Sequence, residues 1–149
     1  MDKDQALAKV SLFEGMNPKH VKGIAGICAE RTFKPGEYLM KQGESGIGLF
    51  IILSGKVRVE KTDAQGRKVE LAENGAGDIL GEMAVFDGAP RSASVAAVVE
   101  TTCLVLASWE FNAFLKAHPE AALEILPIVV KRFRETNEAL IGLGSIRNC

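Results

Sequence analysis

The chain is poor in cysteine and histidine and carries no excess of charge of either sign. Three cysteines, Cys28, Cys103 and Cys149, are odd in number and widely spaced. They form neither a metal-ligand cluster nor a disulfide framework, and a reducing cytoplasm is the simplest setting. Eighteen Lys and Arg face 19 Asp and Glu, a net charge of −1. That balance excludes a protein whose main business is coating nucleic acid, which shows a basic excess. No apolar run approaches the ~20 residues needed to cross a bilayer. The opening Met1-Asp2-Lys3-Asp4 has no apolar stretch behind it, so no secretory signal is expected. Internal repeats and low-complexity segments are absent from the sequence.

What is present is ordinary globular material: 149 residues, 47% hydrophobic and 25% charged, enough to hold a core without staples. Three zones follow from periodicity. In residues 1–30, Ala6, Leu7 and Val10, then Val21, Ile24, Ile27 and Cys28, recur at helical spacing. Asn17-Pro18 has the form of an N-cap followed by proline at the first helical position. Two short helices separated by residues 12–15 are expected. In residues 31–107, short apolar runs alternate with glycine: residues 38–40, 49–53, 57–59, 69–71, 95–99 and 104–107, with a hairpin loop at residues 63–66. Strands at this spacing predict a sandwich or barrel, and about eight of them suit a jelly roll. In residues 108–149 helices return. Ser108 is the expected N-cap of a helix over 109–117, and Pro119 lies in the first turn of a longer one. Pro127 lies within that helix and is expected to kink it or leave a carbonyl unpaired. Leu126, Val130, Phe133, Asn137 and Leu140 form a seam with one polar member.

Residues 81–95, Gly-Glu-Met-Ala-Val-Phe-Asp-Gly-Ala-Pro-Arg-Ser-Ala-Ser-Val, carry the chemistry. A strand ends near Ile79-Leu80, Gly81 permits a tight turn, and Glu82–Phe86 form about one helical turn. Arg91 is expected to open the next strand. A short helix offers backbone N–H groups to an anion, and an arginine at the same mouth offers a planar, always charged fork for phosphate oxygens. A carboxylate there accepts from a sugar hydroxyl, as acidic residues do in other nucleotide sites. The set suits one phosphate beside one ribose hydroxyl.

This segment resembles the phosphate-binding cassette of the cyclic nucleotide-binding domain family: Gly-Glu-hydrophobic-Ala-hydrophobic, a short variable run, then Arg-small-Ala-Ser/Thr-Val. Gly36, Gly43, Gly55 and Gly77-Asp78 stand where that family has its turn glycines. The resemblance implies an α+β domain over residues 1–149. Its eight-stranded jelly roll, a double-stranded β-helix, would be flanked by N-terminal helices and by C-terminal B and C helices. It implies that Arg91 pairs with the cyclic phosphate, that Glu82 accepts from the ribose 2′-hydroxyl and that the Ala84 N–H donates to phosphate. Gly81, Met83, Ser92 and Ala93 complete the cassette, and Leu71 packs against the purine. The helix around residues 131–137 resembles that of the catabolite activator family, which assigns the base contact to Thr136, with Asn137 beside it or on a partner's helix. Cyclic AMP is the favoured ligand and cyclic GMP the alternative, since Ser92 carries a hydroxyl. Val85 and Phe86 are the residues to pass the contact to the helices.

The expected function is a regulatory sensor without catalysis, acting through an unidentified effector protein and able to homodimerise through Leu126, Val130, Phe133 and Leu140. The alternative is a fragment of a cyclic-nucleotide-responsive transcription factor, channel or kinase regulatory subunit. Only 13 residues follow Thr136, too few for a helix-turn-helix, so no DNA binding by this chain is expected. A metal-dependent jelly-roll enzyme needs converging His and carboxylate ligands. His20 and His118, the two histidines, lie outside the expected strands and read as exposed or capping residues, so no metal is expected. Lys131, Arg132 and Arg134 read as solvated or paired with Glu135 and Glu138, Trp109 and Phe111 as core anchors, and Cys28 and Cys103 as inert buried thiols.

Overall fold

The computed structural model describes residues 2–142; Cys149, singled out above, lies outside the described residues. The first helix, α1 (Lys3–Ala8), is closed at its start by a capping box between Asp2 and Gln5. A 3₁₀ turn follows (Ser11–Phe13), then α2 (Pro18–Ile27), where the Asn17 side chain accepts from the Lys19 N–H at 2.9 Å and Pro18 takes the first turn. Eight strands follow, β1 (Ala29–Phe33), β2 (Tyr38–Met40), β3 (Gly48–Ser54), β4 (Lys56–Thr62), β5 (Lys68–Gly75), β6 (Ile79–Leu80), β7 (Ser94–Ala97) and β8 (Thr101–Ala107). A short helix, α3 (Ala84–Asp87), sits between β6 and β7, and α4 (Ser108–Ala117) and α5 (Pro119–Gly142) close the chain.

The strands pair antiparallel in two four-stranded sheets, in the orders β1-β8-β3-β6 and β2-β7-β4-β5. This is the expected α+β jelly roll. Between the sheets Phe33, Phe50, Ile52, Val57, Val95, Cys103 and Val105 are buried. A second core joins the other face of β3 and β8 to the helices through Leu7, Leu12, Ile24, Leu49, Ile51, Leu106 and Phe111. Strand β3 feeds both cores from alternate faces, so five of its seven residues are buried. That accounts for an unbroken apolar run rather than an alternating one.

The sequence hid β1, because only Phe33 of its five residues is buried and no apolar alternation shows. Ser108 is not a side-chain cap: β8 runs straight into α4, and the Ser108 N–H bonds the Ile47 carbonyl at 2.8 Å. Trp109 is not a core anchor, being 64% exposed, whereas Phe111 is fully buried. Helix α5 continues through Pro127 to Gly142. Cys28 and Cys103 are buried free thiols, and burial pushes them up to about 12 and about 11, far from thiolate reactivity.

Candidate functional site

The turn after β6 begins at Gly81, whose backbone is left-handed at φ +69°. The Ala84 N–H bonds the Gly81 carbonyl at 3.1 Å, and Gly88 ends α3 in the left-handed conformation. The Ala84 amide is thus engaged within the turn. Among the described residues the amides of Glu82 and Met83, one step earlier, have no protein acceptor.

Arg91 does not open β7, which begins at Ser94. Its main chain is held instead by the loop before β3: its N–H bonds the Glu44 carbonyl at 2.9 Å, and its carbonyl accepts from the Gly43 N–H at 2.8 Å. The guanidinium turns inward, where the residue is only 8% exposed. Nη2 donates to the Gly48 carbonyl, while Nε is buried without a hydrogen-bond partner. Among the described residues no carboxylate pairs with it, neither Glu82 nor Asp87. Burial alone draws its pKa below the ordinary value. The group remains a cation at any working pH. A buried cation with an orphaned donor is costly unless an anion completes it.

Glycines make room for it. A side chain at Gly81 would lie 2.6 Å from the Arg91 Cζ and 2.8 Å from Nη2, and one at Gly46 would lie 3.1 Å from the same Cζ. Arg91, Ser92, Ala93 and Gly81 line a cavity of about 160 Å³, floored by Met40, Val59, Leu80 and Val95. Alone this is smaller than the ~300–1,000 Å³ of most small-ligand sites. Beside the cassette a cleft of about 600 Å³ is lined by Met83, Val129, Arg132, Phe133, Glu135 and Thr136. The two cavities share no lining residue: Arg91 supplies the charge of the first, and Arg132 and Glu135 the charges of the second.

Glu82 makes a contact the sequence did not reveal. Its carboxylate accepts from Arg132 of α5, and the same guanidinium donates to the Ser11 hydroxyl, which lies 3.4 Å from the other Glu82 oxygen. Arg132 is therefore not paired within α5 to Glu135 or Glu138; fifty residues separate it from its partner. The contact latches α5 to the cassette.

The remaining residues are placed as follows. Thr136 lines the cleft; Asn137 is half-buried and lines neither cavity. Leu71 is 55% exposed on β5 and lines neither cavity. Val59 pairs with Ala72 and Glu60 with Glu70, so Leu71 is the extra residue of a bulge, a device that re-aims a side chain. Val85 is fully buried, and the Phe86 ring packs 5.6 Å from Phe111 of α4. Asn112 Nδ2 donates to the Phe86 carbonyl at 3.2 Å.

Two antiparallel sheets form the roll, and a buried arginine with no carboxylate partner among the described residues sits beside the turn that follows β6. The chain belongs to the cyclic nucleotide-binding domain family, whose profile matches residues 30–118. It is 29% identical over 140 residues to the CRP-like cAMP-activated global transcriptional regulator of Mycobacterium tuberculosis, covering 94% of this chain and 62% of that protein. It is 32% identical to the cyclic AMP receptor protein of Thermus thermophilus, covering 85% of this chain and 58% of that one. The chain thus spans about three-fifths of these curated relatives. The crystal structure of the N-terminal domain of a transcriptional regulator from Streptomyces coelicolor A3(2) superposes with a TM-score of 0.81 at 30% identity, covering 90% of this chain and 96% of that one. Among the described residues no helix is long and apolar enough to cross a membrane.

Proposed function

We propose that the chain is a non-catalytic cyclic AMP sensor in which α5 reports the ligand to an effector protein in the cytoplasm. The observation that carries this reading is the buried Arg91 guanidinium, free of any carboxylate and facing the cassette cavity. A cyclic phosphate supplies the missing anion to Arg91 and takes the Glu82 and Met83 amides, while the ribose 2′-hydroxyl donates to Glu82. The base enters the cleft beside Thr136, whose hydroxyl reads the adenine edge. Leu71 swings over the purine from its bulge.

Glu82 links ligand and helix, because the ribose hydroxyl and Arg132 seek the same carboxylate. The ligand shifts the position of α5 by as much as it prefers one arrangement over the other. Arg132→Ala removes the competitor, so cyclic AMP is expected to bind about 3- to 10-fold tighter, no more than ~1.4 kcal/mol. Titration calorimetry checks this, and weaker binding in the variant would mean that Arg132 supports the ligand rather than competing with it.

Thr136→Ala is expected to weaken cyclic AMP about tenfold, the loss of one hydrogen bond of ~0.5–1.5 kcal/mol, and cyclic GMP less. Equal losses would remove Thr136 as the base reader. Leu126, Val130 and Phe133 are 53%, 46% and 70% exposed along one seam of α5. With Leu140 they offer a homodimer face, which sedimentation equilibrium tests: a monomer at high concentration excludes it.

A further inference from the structure

The molecule carries a second constellation, away from the cassette. His20 lies in the first turn of α2, His118 at the joint between α4 and α5, and Glu120 and Glu124 one turn apart at the start of α5. His118 is exposed, its side chain 49% accessible, and caps the end of α4, whereas the His20 side chain is only 13% accessible. His20 Nε2 lies 3.3 Å and His118 Nδ1 3.7 Å from the same Glu120 oxygen. All three ligand-capable atoms fall within 4.8 Å of one another. Bonds of ~2.0–2.1 Å to a tetrahedral zinc place its ligands ~3.3–3.4 Å apart, so a small adjustment of exposed side chains brings all three onto one ion.

A further contact prepares one ligand. His20 Nδ1 lies 2.6 Å from Glu124 Oε1, and the Glu124 carboxylate is itself held by the Asn17 N–H at 3.1 Å. Donation from Nδ1 to Glu124 fixes the tautomer that leaves Nε2 free as a ligand, the carboxylate–histidine arrangement that orients imidazoles toward zinc. The Phe114 ring, 4.7 Å from that of His118 and 6.4 Å from that of His20, walls one side.

We propose that His20, His118 and Glu120 form a zinc site, oriented by Glu124, that ties α2 to the joint of α4 and α5. Two imidazoles and one carboxylate select a transition-metal ion over magnesium or calcium, and within that group the site follows geometry and availability. The fourth position is open to water. The ion joins helices that approach closely already, since a side chain at Gly23 of α2 would lie 2.7 Å from Phe114 of α4. The site stands independently of the nucleotide reading.

The test is titration of the intact, untagged chain with zinc against a chromophoric chelator, paired with the visible spectrum of the cobalt-loaded protein. One equivalent should bind with micromolar affinity, unaffected by millimolar magnesium, and cobalt should give a tetrahedral spectrum without thiolate charge-transfer bands. His118→Ala and Glu120→Gln, both at exposed side chains, should each weaken zinc at least 30-fold while the metal-free proteins still melt cooperatively, lowered only by the lost Phe114 or His20 contact. Glu124→Gln should weaken it about 10- to 100-fold. Absence of stoichiometric binding below 0.1 mM zinc would overturn the proposal. So would unchanged affinity in both variants, or a thiolate signature.

Discussion

Arg91→Ala is expected to weaken cyclic nucleotide binding by about 30- to 1,000-fold, equivalent to ~2–4 kcal/mol, because a desolvated phosphate loses its charged partner. The effect is large because little else at the cavity is positive: the guanidinium lines it and no carboxylate competes for it. Arg91→Lys keeps the charge but not the planar fork, so it should recover only part of the loss. In Arg91→Ala the Gly48 carbonyl loses its donor, which lowers the melting temperature even without nucleotide. Affinity, read by calorimetry below the melting range, separates the two effects. Submicromolar binding retained by Arg91→Ala would contradict the assignment.

Gly81→Ala should abolish binding as thoroughly. The substitution places a non-glycine residue at φ +69°, a left-handed conformation that costs ~1–2 kcal/mol. It also drives a methyl group to 2.6 Å from the Arg91 Cζ, so the guanidinium must leave its place. Gly77→Ala is the control, at φ +90° with nothing within 4 Å of the added carbon. It bears backbone strain without the clash. Greater destabilisation in Gly81→Ala, where the displaced guanidinium also leaves the Gly48 carbonyl, with nucleotide binding lost only there, is the expected result. Equal affinity in both would detach Gly81 from the site.

The roll was legible in the sequence because β2, β3, β4 and β5 keep their apolar runs between turn residues. The Asp63 loop closes its hairpin as expected, its side chain accepting from the Gln65 and Arg67 amides at 2.9 Å each. Edge strand β1 escaped because it buries one residue, and the Ser108 boundary because a strand passes directly into a helix there. The cassette stood out because its residues are contiguous and match, as one run, the pattern of the family they resemble. Arg91 as the opening of a strand was a local guess, and the main-chain bonds to Gly43 and Glu44 that hold it come from a loop some fifty residues earlier.

Contacts between distant segments left no local trace. Arg132 sits among residues that look like helical ion-pair partners, yet it reaches Glu82 and Ser11, fifty and 121 residues away. The same holds for His20, which meets Glu120 and Glu124 across about a hundred residues. Helix periodicity reports which face is apolar, not which charged side chain crosses to another element. Trp109 shows the converse: a large aromatic beside a buried Phe111 invites burial of both, but the helix turns it outward.

Titration calorimetry of the unmodified chain with cyclic AMP, with 5′-AMP as the open-phosphate control, tests the central claim most directly. A single saturable site for cyclic AMP, at least tenfold tighter than for 5′-AMP, is the predicted result. No heat from cyclic AMP or cyclic GMP up to millimolar concentration, in folded protein, would contradict it.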